Sequence, residues 1–152
     1  MRVRVAAFIR IGEKLLMVNH RKGGSSYWLL PGGGVDQGES LSDALKRELR
    51  EELGLPDSHV KVRDVLMIVD SIGPSRHLVN IIFEVDVVPP AGSLRDDEWV
   101  LPSSDPRVVS ARLISPQELP ELDVRPPIAE ELVELLRGGK LKTLYLGPRW
   151  RD

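Results

Sequence analysis

Residues 40–54 read SLSDALKRELREELG, and the architecture follows from this stretch. Leu41, Ala44, Leu45, Leu49 and Leu53 recur at the three- and four-residue spacing of a helix with one apolar face. Ser40 followed by Asp43 predicts an N-terminal cap, and Gly54 supplies the left-handed residue that ends many helices. The opposite side carries Glu48, Glu51 and Glu52, at spacings of three and four, so the three carboxylates share a side. Like charges at these spacings cost an isolated helix a few tenths of a kcal/mol per pair, which makes the cluster odd as a stability device. A hard cation removes that penalty. Mg²⁺ takes carboxylate, water and phosphate oxygens, and Mn²⁺ is a possible substitute. The alternative is a solvated face on which Lys46, Arg47 and Arg50 pair with the glutamates. The upstream residues weigh against it. Gly32-Gly33-Gly34 is a place where missing side chains let backbone amides approach phosphate, and Glu39 adds a carboxylate near the helix start.

Working outward, Val3 to Ile11 and Lys14 to Asn19 read as strands around a turn at Gly12-Glu13, followed by a polar loop and a short apolar segment, Trp28-Leu29-Leu30. Val60 to Val69 and Leu78 to Val88 predict two longer strands with a turn at Gly73-Pro74. Residues 89–106 form an acidic, Pro-rich loop of unusual length. Arg107 to Ile114 is a further strand, SPQEL (115–119) has a helix-start signature, and Pro127 to Arg137 is amphipathic. The layout predicts one domain over residues 1–152, an α/β or α+β sandwich of strands flanked by at least two helices.

Composition narrows the chemistry. The chain has 152 residues, 41% hydrophobic, enough for one core. With 21 Lys plus Arg against 23 Asp plus Glu, no long-range field advertises a nucleic-acid or anionic-membrane partner. The absence of cysteine excludes disulfides, thiolate metal sites and a cysteine nucleophile, and agrees with a cytoplasmic protein. No export signal or membrane span is expected from the N-terminal stretch.

From Gly33 to Leu55 the chain reads GGVDQGESLSDALKRELREELGL, which satisfies the pattern G-x5-E-x7-R-E-U-x-E-E-x-G-U, with U aliphatic, at Gly33, Glu39, Arg47, Glu48, Leu49, Glu51, Glu52, Gly54 and Leu55. In this it resembles the Nudix hydrolase family, MutT-like enzymes, and the preceding WLLPGG resembles the usual run into the box. The resemblance implies an α/β/α sandwich with a mixed β-sheet flanked by helices. It implies divalent-metal-dependent hydrolysis of a diphosphate linkage in a nucleoside diphosphate linked to another group. Glu48 and Glu52 are then metal ligands, with Glu51 sharing ligation or helping to activate water, and Glu39 contributing through a water or a second ion. Arg47 orients a glutamate. A late-loop carboxylate is a further ligand in several members; Asp96, Asp97, Glu98 and Asp105 are available, and Glu98 is the choice.

For substrate, Gly33 and Gly34 are the expected phosphate contacts, Arg21, Lys22, Arg76 and His77 the available cations with Arg21 preferred, and Tyr27, Trp28 and Trp99 the aromatics able to stack on a base, with Trp28 preferred. Pro74 stands a few residues from the proline that often marks ADP-ribose hydrolases, the tyrosine associated with dinucleoside polyphosphate hydrolases is missing after the box, and the coenzyme A signature is not apparent. Nucleoside triphosphates and nucleotide sugars remain, with a non-catalytic nucleotide-binding module as the competing class. A homodimer through LKTLYL (141–146) is a further expectation.

Overall fold

The computed structural model describes residues 1–102 and 107–150. Strands β1 (Arg2–Phe8) and β2 (Arg10–Ile11) lead through a turn in which Gly12 takes a φ of 63° into β3 (Lys14–Lys22). β4 (Ser25–Leu29) folds back on β3, and β5 (Gly32–Gly34) leads into helix α1 (Leu41–Leu53). β6 (Val60–Ile72) and β7 (His77–Val87) form a long antiparallel hairpin. β8 (Leu94–Arg95), β9 (Glu98–Trp99), β10 (Val108–Ile114), helix α2 (Ala129–Leu136) and β11 (Tyr145–Leu146) follow.

One sheet has the order β11-β6-β7-β1-β5, the other β2-β3-β10-β9-β8 with β4 paired to β3. Both parallel and antiparallel pairs occur, since β1 runs parallel to β7 and antiparallel to β5. Strand alternation divides the side chains between two cores. Val5, Ala7, Leu16 and Val18 pack with Ala44, Leu45, Leu49 and Leu53 of α1, while Ala6, Phe8, Leu15 and Met17 pack with Leu132 and Leu136 of α2. A helix thus covers each face, and the expected α/β/α sandwich with a mixed sheet is borne out.

Two local expectations need correction. SPQEL makes a turn, in which Ser115 Oγ accepts from the Glu118 amide at 3.2 Å, and only Leu119–Glu121 winds further, as a 3₁₀ turn. One capped turn lacks the length to propagate a helix by itself. The long loop holds the β8–β9 hairpin, which seats Trp99 in the core with Nε1 donating to the Leu53 carbonyl at 2.9 Å. The tail residues Tyr145 and Leu146 pair with Ile68 and Val69 of the same chain. Among the described residues no helix is long and apolar enough to cross a membrane.

The tail strand is pinned by Asp70, which hydrogen-bonds the His77 ring at 2.6 Å and accepts from the Tyr145 hydroxyl at 2.9 Å. Those two bonds, His77 first, hold the Asp70 carboxyl below its usual value. A depressed carboxyl contributes stability above its unfolded value, roughly pH 4, and loses it as pH falls through the lower folded value. Asp70→Asn is therefore expected to flatten the acid limb of the stability–pH curve below about pH 4 relative to the native protein, as read by urea denaturation at stepped pH. Leu45, fully buried against both sheets, gives the packing test: Leu45→Ala is expected to cost about 2–5 kcal/mol in the same assay.

Candidate active site

The phase of α1 is fixed at both ends. Ser40 Oγ accepts from the Asp43 amide at 3.0 Å, and Gly54, at a φ of 68°, donates to the Arg50 carbonyl at 2.9 Å. With the leucines committed to the core, Glu48 and Glu52 turn toward β5 and Glu51 toward solvent, its side chain 61% exposed against 18% and 9% for the other two.

Arg47 is the hub of the cluster. Its Nε and Nη2 donate to the two oxygens of Glu39 at 2.7 and 2.8 Å, Nη1 donates to Glu48 at 2.9 Å and Glu51 at 3.4 Å, and Nη2 also reaches the Gly34 carbonyl at 3.1 Å. This is the planar fork that a guanidinium offers and an ammonium does not. The Arg47 bond, helped by the Asp36 amide, holds the Glu39 carboxyl down to about 2. Burial instead pushes Glu48 up; Arg47 opposes this, and the like charges of Glu51 and Glu52 add to it.

Glu52 is held differently. Its Oε1 accepts from the Gly32 amide at 3.2 Å, and its Oε2 lies 3.7 Å from His20 Nε2. That imidazole nitrogen is buried and has no hydrogen-bond partner among the described residues. The glycines serve the protein's own carboxylates: a Cβ on Gly33 would collide with the Glu48 carboxylate, while Gly34 pairs with Arg4 across β5 and β1. The space beside Gly33 is thus filled by the Glu48 carboxylate, and that beside Gly34 by the Arg2 guanidinium.

The other expected contacts divide by strand parity. His20 pairs with Tyr27, their ring centroids 5.9 Å apart, on the face of β3 and β4 toward Glu52. Arg21 and Trp28, each one residue along, point to the opposite face, where Trp28 packs against the α2 core under Arg112 at 5.1 Å. They do not join the carboxylate cluster. Glu98 is exposed and pairs with Arg112 across β9 and β10, while its neighbour Trp99 faces the α1 core, so Glu98 looks away from α1 and is not brought to the other glutamates. Asp97 pairs with Lys14, His77 with Asp70, and Asp105 lies outside the described residues.

Two groups at the site escaped the sequence reading, His20 and Arg4. Arg4 lies on β1 on the same face as Ala6 and Phe8, with Nη2 donating to the Leu30 carbonyl at 3.2 Å. A cation at a core-face position was the available signal. Burial lowers its pKa, and the charges of Glu52 and Glu48 oppose that shift.

Among the described residues no three acidic or histidine side chains already surround a common point, since Glu39 and Glu48 turn to Arg47 and Glu52 to Gly32. The donor set still suits a hard divalent cation. It offers carboxylate oxygens on adjacent helical turns and a Glu48 whose charge is disfavoured by burial and by its neighbours.

The NUDIX domain matches residues 1–136, and the chain belongs to that family. A NUDIX hydrolase from Nitrosomonas europaea superposes with a TM-score of 0.71 over 91% of this chain and 90% of that one, at 26% identity. An ADP-ribose pyrophosphatase from Streptococcus suis (TM-score 0.65, 22% identity, 99% and 98% covered) and a UDP-X diphosphatase (0.69, 20%, 96% and 66%) share the fold. The RNA pyrophosphohydrolase of Shewanella piezotolerans is 50% identical over 42 residues, 28% of this chain and 24% of that protein, so the match spans about a quarter of its length.

Because Arg47 joins Glu39, Glu48 and the Gly34 carbonyl, Arg47→Met removes the guanidinium partner of Glu48 and leaves Glu39 with the Asp36 amide. It is expected to destabilise the metal-free protein by about 1–3 kcal/mol in urea, and Arg47→Lys, keeping charge but not the fork, by less.

Proposed function

We propose that the chain hydrolyses a diphosphate linkage in a nucleoside diphosphate joined to a further group, of the nucleoside triphosphate or nucleotide-sugar class, with Mg²⁺ or Mn²⁺ as the cofactor. The observation that carries this reading is the arrangement of Glu48 and Glu52 on one edge of α1 against β5, with the Arg47 fork holding Glu39 and Glu48. Glu48 and Glu52 would hold the cation, with Glu51 and Glu39 as the additional carboxylates. When bound, such a cation neutralises charge on phosphate oxygens and acidifies water.

The chain's own residues then position and exclude. Arg47 holds Glu39 and Glu48 at the helix edge in the metal-free protein, so that a cation would draw them from a defined starting position. The Gly32 amide fixes one oxygen of Glu52 and leaves the other facing His20. The buried Nε2 of His20 is a group able to hold a water next to that oxygen. Hydrolysis of this type asks chiefly for positioning and charge stabilisation, which are what a rigid helix edge supplies. Isolated nucleotides in the cytoplasm, rather than nucleic acid or membrane, complete the proposal.

A second reading, action on the terminal phosphates of RNA, is favoured by the similarity to RNA pyrophosphohydrolases over 42 residues. One panel separates the two: nucleoside triphosphates, nucleotide sugars, dinucleotides and a 5′-triphosphorylated RNA, each assayed for phosphate and nucleotide release. Turnover of a free nucleotide with Mg²⁺ is expected, abolished by EDTA, restored by excess Mg²⁺, and lowered at least about a hundredfold by Glu52→Gln. Ligand-induced thermal stabilisation without product release would move the assignment to a binding module, and cleavage of RNA alone to the second reading.

A further inference from the structure

We propose that Arg4 is the phosphate-gripping residue of this site, holding the substrate's diphosphate from the strand side while the α1 carboxylates and their cation hold it from the helix side. The inference rests on the reading that the ligand carries a diphosphate. Four observations converge on it.

The first is an unmatched cation. Among the described residues a single hydrogen bond, to the neutral Leu30 carbonyl, ties the Arg4 guanidinium, and no carboxylate lies within ion-pairing distance of it. A guanidinium has five N–H donors, so most of its capacity is unspent. The second is place. Arg4 pairs with Gly34 across β1 and β5, one strand from the Gly33 that abuts Glu48 and the Gly32 that holds Glu52. Glu52 and Glu48 are the strongest opposite charges acting on it. The third is space. Arg4 lines a cavity of about 10 Å³ together with Leu30, Asn80 and Arg125, which is room for a group of the size of one water and not for a ring. The fourth is elimination. Arg21, the cation expected to serve the phosphates, is exposed near the end of β3.

A buried guanidinium with unspent donors, next to carboxylates that a divalent cation would neutralise, is suited to an oxyanion. Phosphate oxygens fit its planar fork in a bidentate manner. Beyond Arg4, Arg125 stacks over Tyr27 at 4.4 Å and is paired with Asp123, so its charge is already matched. Of the two cations that line this cavity, Arg4 is therefore the one left for the ligand.

The test uses the full chain and methylenediphosphonate, a diphosphate mimic that is not hydrolysed, titrated calorimetrically in saturating Mg²⁺ beside the corresponding free nucleosides. The native protein is expected to bind the diphosphonate. Arg4→Met is expected to weaken that binding about tenfold to a hundredfold, and Arg4→Lys by less, with nucleoside binding unchanged in both. Thermal melts of each variant identify loss of fold, and Arg4→Lys, which keeps the charge and the stem, carries the test if Arg4→Met unfolds. Unchanged diphosphonate affinity in the folded variants would overturn the inference. So would loss of nucleoside binding with diphosphonate binding retained, which would place Arg4 against the base, and so would a native protein that does not bind the diphosphonate. Arg4-dependent diphosphonate binding in a protein that turns over no substrate would sink the hydrolase reading while leaving the Arg4 assignment standing.

Discussion

The commitment of one face of α1 to the core is the constraint from which the site follows. Ala44, Leu45, Leu49 and Leu53 have no freedom to rotate out of the cluster they share with both sheets, and the Ser40 and Gly54 caps set where the helix begins and ends. Glu48 and Glu52 are thereby pressed against β5, where a Cβ on Gly33 would displace the Glu48 carboxylate. The cost of crowding carboxylates at the edge of a core is met within the chain by Arg47, whose fork spans the loop, the helix and the β5 backbone. Packing thus fixes the position of the charges, and the charges fix the residue types permitted around them.

Cap residues, apolar spacing and acidic spacing are all local, so α1 and its glutamates were legible in the sequence. Tertiary facts were not. The choice of Arg21 and Trp28 over His20 and Tyr27 shows the difference. These are neighbours in two antiparallel strands, and a period of two places the members of each pair on opposite faces. Which member faces Glu52 is decided by which side of the strand pair α1 covers, and residues 18–29 alone do not encode that. Glu98 failed for the same reason, since burial of Trp99 against Leu53 turns its neighbour away. Arg4 was hidden by distance along the chain, its acceptor lying 26 residues away.

The acidic loop was also misread in kind. Its Pro and Asp content looked like that of a surface connection, yet Trp99 reaches the end of α1 and caps the Leu53 carbonyl through its indole nitrogen. A single aromatic donor decided the path of the segment, because a buried indole must both hide its ring and spend its N–H. The same logic explains why Trp28 was unavailable to a ligand: its ring is already covered by the α2 core and by Arg112.

Charge placement couples the two ligands of the proposed site. Without a cation, Glu48 and Glu52 lie between Arg47 on the helix side and Arg4 on the strand side, and the attraction of both glutamates already stabilises the Arg4 charge. A divalent cation on these glutamates neutralises that attraction and leaves the buried Arg4 poorly compensated, which raises its affinity for an incoming oxyanion. The anion, in turn, removes the repulsion between Arg4 and the cation. On the proposed reading, cation and diphosphate would reinforce one another through the same two carboxylates, and by linkage each would tighten the binding of the other by the same factor.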